Sequence, residues 1–493
     1  MSVKTERILL FTVFVLCLAI RLAFITQKNL WFDEVFSWHM SLGSFYDIIV
    51  RTSNDIHPPL YYFTLKIWNF IFGDSVVSMR FLSAIFTSAT VFFMYPLCRR
   101  IMSPAQAFMV LLLYSVSPLN LYYSQEVRMA AMNLFLNVGS VYFLMKLTDI
   151  AHNHHRIFKD KYSILYLTFT AAALYTHYFS FFILAAEVIY IIIINLKSRK
   201  QILSYIYIWL GVLAVYILWL PDLLTHMRRG QSWRVPQTLM QVLGEYVNYV
   251  RDLNLGLYYY YTDLDLVKYI TYFAALLILL ALIGALIYKN KSRNNTVLLL
   301  LLVLFVPLIL AGILSFRQKI EFYRYLSILV PFISIFIVYG VTKWKFKPFA
   351  YLLLFVYFTI NVYGITIHYS FKFKNDDYRR LIEQINIDYK AGDRIYVEPH
   401  YNGWVIDYYK KQDNLQIPNA TFVRYGWNEV LDSINIQKPS RFWVVMDYSS
   451  VDTSKYSSYI KDLGQKYDRE FNMTYYLAPQ KVELYRFAQR KSK

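Results

Sequence analysis

The sequence predicts a polytopic helical membrane protein with a small α/β domain at its C-terminal end. Apolar residues make up 57% of the 493 residues and charged residues only 17%, whereas soluble proteins are roughly 45–50% apolar and about 25% charged. The apolar residues are concentrated in long runs that end near residue 368, where polar sequence with short β-type segments begins. These features predict a membrane region, 1–368, followed by a soluble extracytoplasmic domain, 369–493.

The apolar runs are long enough to predict a series of transmembrane helices. A bilayer core of about 30 Å requires about 20 mostly apolar residues per helix, which gives about eleven candidates here. The candidates are 8–26, 81–98, 104–119, 129–148, 162–179, 181–196, 203–220, 267–288, 296–314, 325–342 and 349–367. The first run lacks a small-residue cleavage site after it, so we interpret it as a retained span rather than a signal peptide.

The basic residues predict the orientation of these spans. With the N-terminus inside, every inner loop is basic, as the positive-inside rule requires. The inner-loop cations are Arg99, Arg100, Arg156, Lys159, Lys161, Lys197, Arg199, Lys200, Lys289, Lys291, Arg293, Lys343, Lys345 and Lys347. An odd number of spans then places the C-terminus outside. Anchoring of this kind explains many of the cations behind the net charge of +19, so no nucleic-acid partner is predicted.

The first outer loop contains an acidic pair in an aromatic setting. The segment LWFDEVFSW places Asp33 and Glu34 directly after the first span. Poor solvation among aromatic rings raises the pKa of a carboxyl group and suits proton transfer. A solvated interfacial pair, or a cap for the next helix, explains the same position equally well. Further along the loop, PPLYYFTLKIWNFIF predicts a helix that lies along the membrane surface.

Two further outer segments offer cations near helix ends. The turn SPLNLYYSQEVRM precedes the fourth span and contains Glu126 and Arg128. A helix N-terminus there would favour a phosphate, and Arg128 would add a bidentate clamp. The segment FYRYLSILVP places Arg324 at the outer end of the tenth span, where an anchoring cation would also be found.

The C-terminal region alternates strand-like and helical segments. RIYVEP, ATFVRY, RFWVVMDY and VELYRF are rich in β-branched and aromatic residues, while DDYRRLIEQINIDYK and TSKYSSYIKDLGQKY have helical periodicity. This alternation predicts a small α/β domain.

Taken together and in this order, the outer-loop motifs resemble a known family. LWFDEVFSW, DIHPPLYYFTLKIWNFIFGDSVVSMR and SPLNLYYSQEVRM are similar to motifs of the bacterial relatives of protein O-mannosyltransferases, including the lipid A aminoarabinose transferases. These are polytopic glycosyltransferases of the GT-C type, in glycosyltransferase family 39. The resemblance is good over 5–190 and looser to 370, and beyond 370 it depends only on a small outer α/β domain.

The resemblance implies an inverting transfer of a sugar from a polyprenyl-phosphate carrier to an extracytoplasmic acceptor. Asp33 would be the general base, Glu34 would support it or hold the acceptor, and Glu126 would be the second acid of the site. Arg128 and Arg324 would bind the carrier phosphate, where negative charge develops in the transition state. The acceptor or sugar site would include His57, Tyr61, Tyr123 and Gln125.

The resemblance leaves the acceptor and any metal open. The acceptor could be a glycolipid, lipopolysaccharide, a wall polymer or a protein, and the outer domain would help to select it. Some relatives hold a divalent metal ion with an acid and a histidine of a later outer loop. The later outer loop here offers only His226, in LTHMRRG, so metal dependence is left open.

Two alternatives come from other functional classes. A transporter or lipid flippase would place ionisable residues near the bilayer centre, and Glu187 in FFILAAEVIY is one such residue. A carrier-binding scaffold without activity would retain Arg128 but have no use for Asp33. The sequence has no GxGxxG or P-loop pattern, which fits a lipid-linked donor better than direct use of a nucleotide.

Overall fold

A computed structural model describes most of the chain as two compact units. The residues described are 2–151, 160–229, 234–259, 262–287, 294–370, 378–399, 402–418, 427–447, 456–477 and 480–490. The first unit comprises Met1–Ala23, Ser41–Gly73 and Ser78–Ser370, and the second comprises Phe24–Met40, Asp74–Val77 and Phe371–Lys493. The segment with the acidic pair thus groups with the C-terminal residues, although it lies within the membrane region expected from sequence.

All the regular secondary structure described in the first unit is helical. Its helices are α1 Val3–Leu22, α3 Phe45–Asn54, α4 Leu60–Phe72, α5 Val76–Ala89, α6 Val91–Arg99, α7 Pro104–Ser115, α8 Pro118–Ser124, α9 Ala130–Ala151, α10 Lys161–Thr176, α11 Ser180–Ile194, α12 Arg199–Tyr216, α13 Leu220–Arg229, α14 Leu239–Leu255, α15 Leu264–Ile287, α16 Asn294–Ser315, α17 Phe322–Tyr325, α18 Val330–Val341 and α19 Lys347–His368. Helix α5 begins in the short 74–77 piece of the second unit.

Several of these helices are long and apolar enough to cross a bilayer. Among the described residues, six satisfy length and composition, or seven if the bent pair α7–α8 is one span. Each of the predicted spans coincides with a helix or a pair of helices, but the expected number of eleven transmembrane helices and their topology are not confirmed. Their boundaries follow local signals: Ser103 caps α7 with Gln106 in a capping box, and α7 and α8 meet at 60° just before Pro118.

Helices α15 and α18 cross at very close range because glycines face each other. A Cβ added at Gly340 would overlap the carbonyl oxygen of Ala281, and one added at Gly284 would overlap the carbonyl oxygen of Gly340. The obstructing atoms belong to the backbone, so a side-chain rotation could not relieve either overlap. The small residues therefore set the distance between the two helices, as in other membrane helix pairs.

The second unit contains the acid-pair helix and a four-stranded sheet. Its helices are α2 Phe32–Met40, α20 Tyr378–Asp388, α21 Gly403–Gln412, α22 Trp427–Gln437 and α23 Tyr456–Lys466, and its strands are β1 Arg394–Glu398, β2 Arg441–Asp447, β3 Tyr467–Leu477 and β4 Gln480–Gln489. The sheet order is β1-β2-β4-β3, with β1 parallel to β2 and the other two pairings antiparallel.

Strands β1 and β2 are buried on both faces. Phe442 and Val444 pack in a core with Val430 and Ile434 of α22, and Ile395 and Val445 on the opposite face are also buried. Continuous apolar runs are typical of such strands.

Most of the predicted elements of this region are present. RIYVEP and RFWVVMDY form β1 and β2, VELYRF lies in β4, and the two helical segments form α20 and α23. The segment ATFVRY lies outside the described residues. Strand β3 was not predicted, because its polar residues Asp468, Glu470 and Asn472 directly follow the helical pattern of α23.

The glycine crossing gives a stability prediction with a matched control. We expect Gly340→Ala to destabilise the protein by about 1–3 kcal/mol, because overpacking against backbone forces the helices apart. Gly244 lies inside α14, and no described atom lies within 4 Å of a Cβ added there. Gly244→Ala should therefore be neutral or stabilising by up to about 1 kcal/mol, since alanine is the better helix former. Thermal unfolding of the purified protein in detergent checks both, and equal midpoints for the two variants would contradict the close crossing.

Candidate functional site

The acidic pair lies in the first turn of α2, and its two carboxyl groups have different environments. Glu34 is fully buried, whereas Asp33 is partly exposed. The backbone N–H of Trp31 donates to Glu34 Oε2 at 3.4 Å, so Glu34 caps the start of its own helix. Neighbours on a helix point about 100° apart. Asp33 is therefore better placed than Glu34 to contact a ligand. The expected capping function is performed by Glu34.

Glu126 and Arg128 lie in the turn between α8 and α9. Helix α9 begins at Ala130, so the predicted turn before the fourth span is present, and Arg128 precedes that helix rather than lying on it. The Glu126 side chain is buried, and the Tyr122 hydroxyl is its hydrogen-bond partner. The Ser83 hydroxyl donates to the Glu126 carbonyl at 2.6 Å, which fixes this turn to α5.

Arg128 and Arg324 both lie within electrostatic range of a buried histidine. Both guanidinium groups act electrostatically on His177, together with His57, and the rings of His57 and His177 are 6.0 Å apart. The residues come from distant parts of the chain that only the fold unites. We call Arg128, Arg234, Arg324, His57 and His177 the basic cluster.

Arg234 joins this cluster through Tyr325 and Glu321. Its Nη2 donates to the Tyr325 hydroxyl at 2.7 Å and lies 3.4 Å from Glu321 Oε2, and Nη1 donates to the Lys319 carbonyl at 3.1 Å. The same Glu321 oxygen lies 3.5 Å from Nε of Arg324. One carboxylate is therefore shared by two guanidinium groups. The centroid of the Tyr325 ring lies 5.4 Å from that of His177, so Tyr325 connects Arg234 to the histidine.

His57 is oriented by an aspartate two residues before it. Its Nδ1 donates to Asp55 Oδ2 at 2.8 Å. Burial raises the pKa of Asp55, but the charge and hydrogen bond of His57, with the more distant Arg128, lower it by more, so its pKa lies below the ordinary value. The ionised Asp55 therefore fixes the proton of His57 on Nδ1 and sets the orientation of the ring.

His177 has the opposite electrostatic character. Burial, with the charges of His57, Arg128 and Arg324, lowers the pKa of His177 to about 3. The backbone N–H of Phe179 donates to its Nδ1 at 3.2 Å, so the neutral ring carries its proton on Nε2. His177 is therefore a neutral hydrogen-bond donor beside two guanidinium groups at physiological pH.

The remaining predicted residues of the acceptor or sugar site have different surroundings. Gln125 donates to the carbonyl groups of Arg21 and Ala23 at 2.8 and 2.9 Å, and its Oε1 pairs with His368 at 2.9 Å. Its amide thus links the end of α1 to the end of α19. Tyr61 lies on α4 and Tyr123 on α8, and both are buried. Tyr123 is an electrostatic neighbour of Arg324 and Glu126, so it lies beside the basic cluster.

The described residues do not fit a metal site. Nε2 of His226 donates to the Ser53 carbonyl at 3.0 Å, and Nδ1 accepts from the Tyr178 hydroxyl at 2.7 Å, so both ring nitrogens already have protein partners. In the described part of the chain, no three His, Cys, Asp or Glu side chains are grouped as ligands. We therefore derive no step that uses a metal ion.

Four residues of the site were not predicted from the sequence: Asp55, His177, Arg234 and Glu321. A weak signal existed for Asp55, because an acid two residues before a histidine in a turn can orient the imidazole. His177 had only its place at the end of the predicted span 162–179, near the short turn that leads to the next span. Arg234 and Glu321 lie 87 residues apart, so their ion pair could not be predicted without the fold.

The chain is similar to a known family of membrane glycosyltransferases and to several solved structures. Residues 56–224 match the family model described as dolichyl-phosphate-mannose-protein mannosyltransferase. ArnT from Cupriavidus metallidurans, in the apo state, has a TM-score of 0.60 at 10% identity, with 98% of each chain covered. The same protein bound to undecaprenyl phosphate gives a TM-score of 0.57 at 10% identity and the same coverage.

An archaeal protein also has a similar fold. The archaeal oligosaccharyltransferase AglB from Archaeoglobus fulgidus, in complex with an inhibitory peptide and a dolichol-phosphate, gives a TM-score of 0.53 at 12% identity. That match covers 98% of this chain and 74% of AglB. No curated protein sequence matches this chain at a significant level. The chain therefore has the fold of the GT-C glycosyltransferases and, over residues 56–224, the sequence signature of the dolichyl-phosphate-mannose-protein mannosyltransferases, as its sequence motifs predict.

Proposed function

We propose that this protein is an inverting glycosyltransferase that moves a sugar from a polyprenyl-phosphate carrier to an acceptor on the outer face of the cytoplasmic membrane. The observation that carries the proposal is the basic cluster, in which Arg128 and Arg324 both lie close enough to the neutral His177 to act on it electrostatically. Guanidinium groups bind phosphate oxygens with paired, charge-assisted hydrogen bonds. The bound lipid phosphates in the ArnT and AglB structures support a phosphate-linked lipid as the ligand of this fold.

The proposed reaction is a single displacement. The Asp33 carboxylate takes the proton from the acceptor hydroxyl, whose oxygen attacks the anomeric carbon of the sugar. The bond between that carbon and the phosphate oxygen breaks, and the carrier phosphate leaves with the electron pair. One displacement inverts the anomeric configuration. Arg128 and Arg324 hold the leaving phosphate, on which negative charge accumulates in the transition state.

The other acids have supporting functions in this proposal. Glu34 caps the first turn of α2 and thereby fixes the backbone that carries Asp33. Glu126 lies beside Tyr122 and Tyr123, and we assign it to the hydroxyl groups of the sugar or of the acceptor. His57, which is held by Asp55, provides a second imidazole for the phosphate. The acceptor is a glycolipid, lipopolysaccharide, a wall polymer or a protein.

The transport alternative finds little support at Glu187. The Ser140 hydroxyl donates to its Oε1 at 2.7 Å, and the Tyr166 hydroxyl donates to its Oε2 at 2.9 Å. The side chain is fully buried, so both carboxyl oxygens have fixed protein partners. A coupling residue must exchange partners as the protein moves, whereas this arrangement is that of a hydrogen-bonded structural group.

The first prediction tests transfer itself. In a strain that lacks the gene, we expect one envelope glycan to lose the mass of one sugar, which mass spectrometry of the extracted glycans would detect. The wild-type protein should restore that mass, and Asp33→Asn at a matched membrane level should not, because the amide cannot accept the proton. Full restoration by Asp33→Asn would remove the general base from the mechanism and favour transport or a scaffold.

The second prediction tests the phosphate contacts. Arg128→Ala and Arg324→Ala should each weaken binding of undecaprenyl phosphate by about tenfold or more, since a charge-assisted hydrogen bond contributes about 1.5–3 kcal/mol. Arg317 is exposed in the loop after α16, so Arg317→Ala is the matched control and should bind normally. Thermal-shift titration of the purified proteins measures the three affinities. Equal losses in all three variants would indicate a general charge effect in place of a site.

The third prediction concerns the protonation state of His177. Because the pKa of His177 is about 3, the ring stays neutral from pH 5.5 to pH 8, and its hydrogen bond to the carrier is present throughout. The affinity lost in His177→Ala should therefore be the same factor at both pH values, by the same titration. A cationic His177 would give a larger loss at pH 5.5 than at pH 8, which would contradict this assignment.

A further inference from the structure

Within the second unit, one aromatic face of α2 is covered by a single tryptophan of α21. Phe32, Phe36 and His39 recur at the spacing of one helix face, and their rings lie 6.3, 5.8 and 4.2 Å from Trp404. The His39 and Phe32 rings are stacked with Trp404 at interplanar angles of 13°. The contact therefore extends along about two turns of a helix that has only nine residues.

A second, polar contact fixes another side of the same helix. Nε1 of Trp38 donates to Asp74 Oδ2 at 2.7 Å, and Asp74 also accepts from Lys411 Nζ at 2.6 Å and from Gln412 Nε2 at 3.1 Å. Burial raises the pKa of Asp74, but the hydrogen bonds from Lys411 and Trp38 lower it by more, so its pKa is below the ordinary value. The Tyr408 hydroxyl donates to the Asp74 carbonyl at 3.1 Å.

The residue that leads into α2 is held by the same helix of the C-terminal region. The backbone N–H of Leu30 donates to the Tyr409 hydroxyl at 2.7 Å. Isolated helices shorter than about 12–15 residues are marginal in water, so a nine-residue helix depends on such contacts for its direction. All three contacts are made by α21 or by Asp74, which α21 itself holds.

We infer that the C-terminal domain orients the acid-bearing helix, with Trp404 and Asp74 as positioning residues for Asp33 and Glu34. The inference depends on the proposed function, in which Asp33 is the general base. Asp33 and Phe32 are consecutive residues in the turn that packs against Trp404, so loss of that ring would free the first turn of α2. A misplacement of about 1 Å can lower a rate by about 100-fold.

The test compares Trp404→Leu, Trp404→Phe and Phe471→Leu in the full-length protein. Phe471 contacts Trp443 at 6.0 Å on the strand β3 of the same unit, so its variant controls for loss of an aromatic ring in general. Hydrogen exchange of the peptide 30–40 reports the order of α2, and restoration of the glycan in the deletion strain reports transfer. Binding of undecaprenyl phosphate, as the probe, reports whether the first unit remains intact.

We expect Trp404→Leu to speed exchange of the peptide 30–40 and to lower glycan restoration by about tenfold or more, with normal binding of the probe. Trp404→Phe should recover most of both signals, and Phe471→Leu should leave them unchanged. Asp74→Ala provides a second variant with the same expected result if Trp404→Leu accumulates poorly.

Two results would overturn the inference. Unchanged exchange of the peptide 30–40 in Trp404→Leu and Asp74→Ala would show that these contacts do not order α2. Faster exchange with full glycan restoration would show that its order does not matter for transfer. If Asp33→Asn also restores the glycan, the proposed function fails together with the positioning function. If Asp33→Asn is inactive but Trp404→Leu restores the glycan fully, only the positioning function is refuted.

Discussion

The first unit depends on how several arginine charges are held in a partly buried place. A buried cation requires hydrogen bonds and opposite charge, or it destabilises the fold. Arg234 meets this requirement at its two Nη atoms with a carbonyl group, a tyrosine hydroxyl and Glu321, and it shares that carboxylate with Arg324. One carboxylate therefore contacts two guanidinium groups, whose planar sets of N–H donors match the geometry of a phosphate. Burial, together with the charges of the cluster, keeps His177 neutral.

The sequence predicts those features that depend on local pattern. Each apolar run became helix because its length and composition suffice, and the turn before α9 follows from Pro118 and the polar residues after it. The acidic pair was identified by its aromatic neighbours. The partners of these motifs could not be predicted, since the contact between Trp404 and His39 and that between Arg234 and Glu321 join distant residues. Strand β3 was missed because its exposed face is polar.

The composition of the second unit changes how the C-terminal region should be tested. Removal of residues 370–493 would delete α21 together with its contacts to α2. A loss of activity on such a deletion would therefore follow either from lost acceptor selection or from a disordered Asp33. Single substitutions at Trp404 separate the two, because they leave the rest of the domain in place. A variant of the domain that alters the identity of the modified glycan, but leaves the hydrogen-exchange rate of α2 unchanged, would then indicate acceptor selection.

The two acids of the pair illustrate why adjacent residues of one type can have different functions. Glu34 is fully buried and bonded to the backbone of Trp31, so its carboxylate already has a structural use. Asp33, one position earlier, is partly exposed and is held by the helix that Glu34 caps. A proton acceptor needs both access to its substrate and a fixed direction. In this helix Asp33 is the more exposed of the two, and its direction depends on Glu34 and on the packing of α21. The proposed mechanism therefore treats the pair as one base and its support, not as two interchangeable carboxylates.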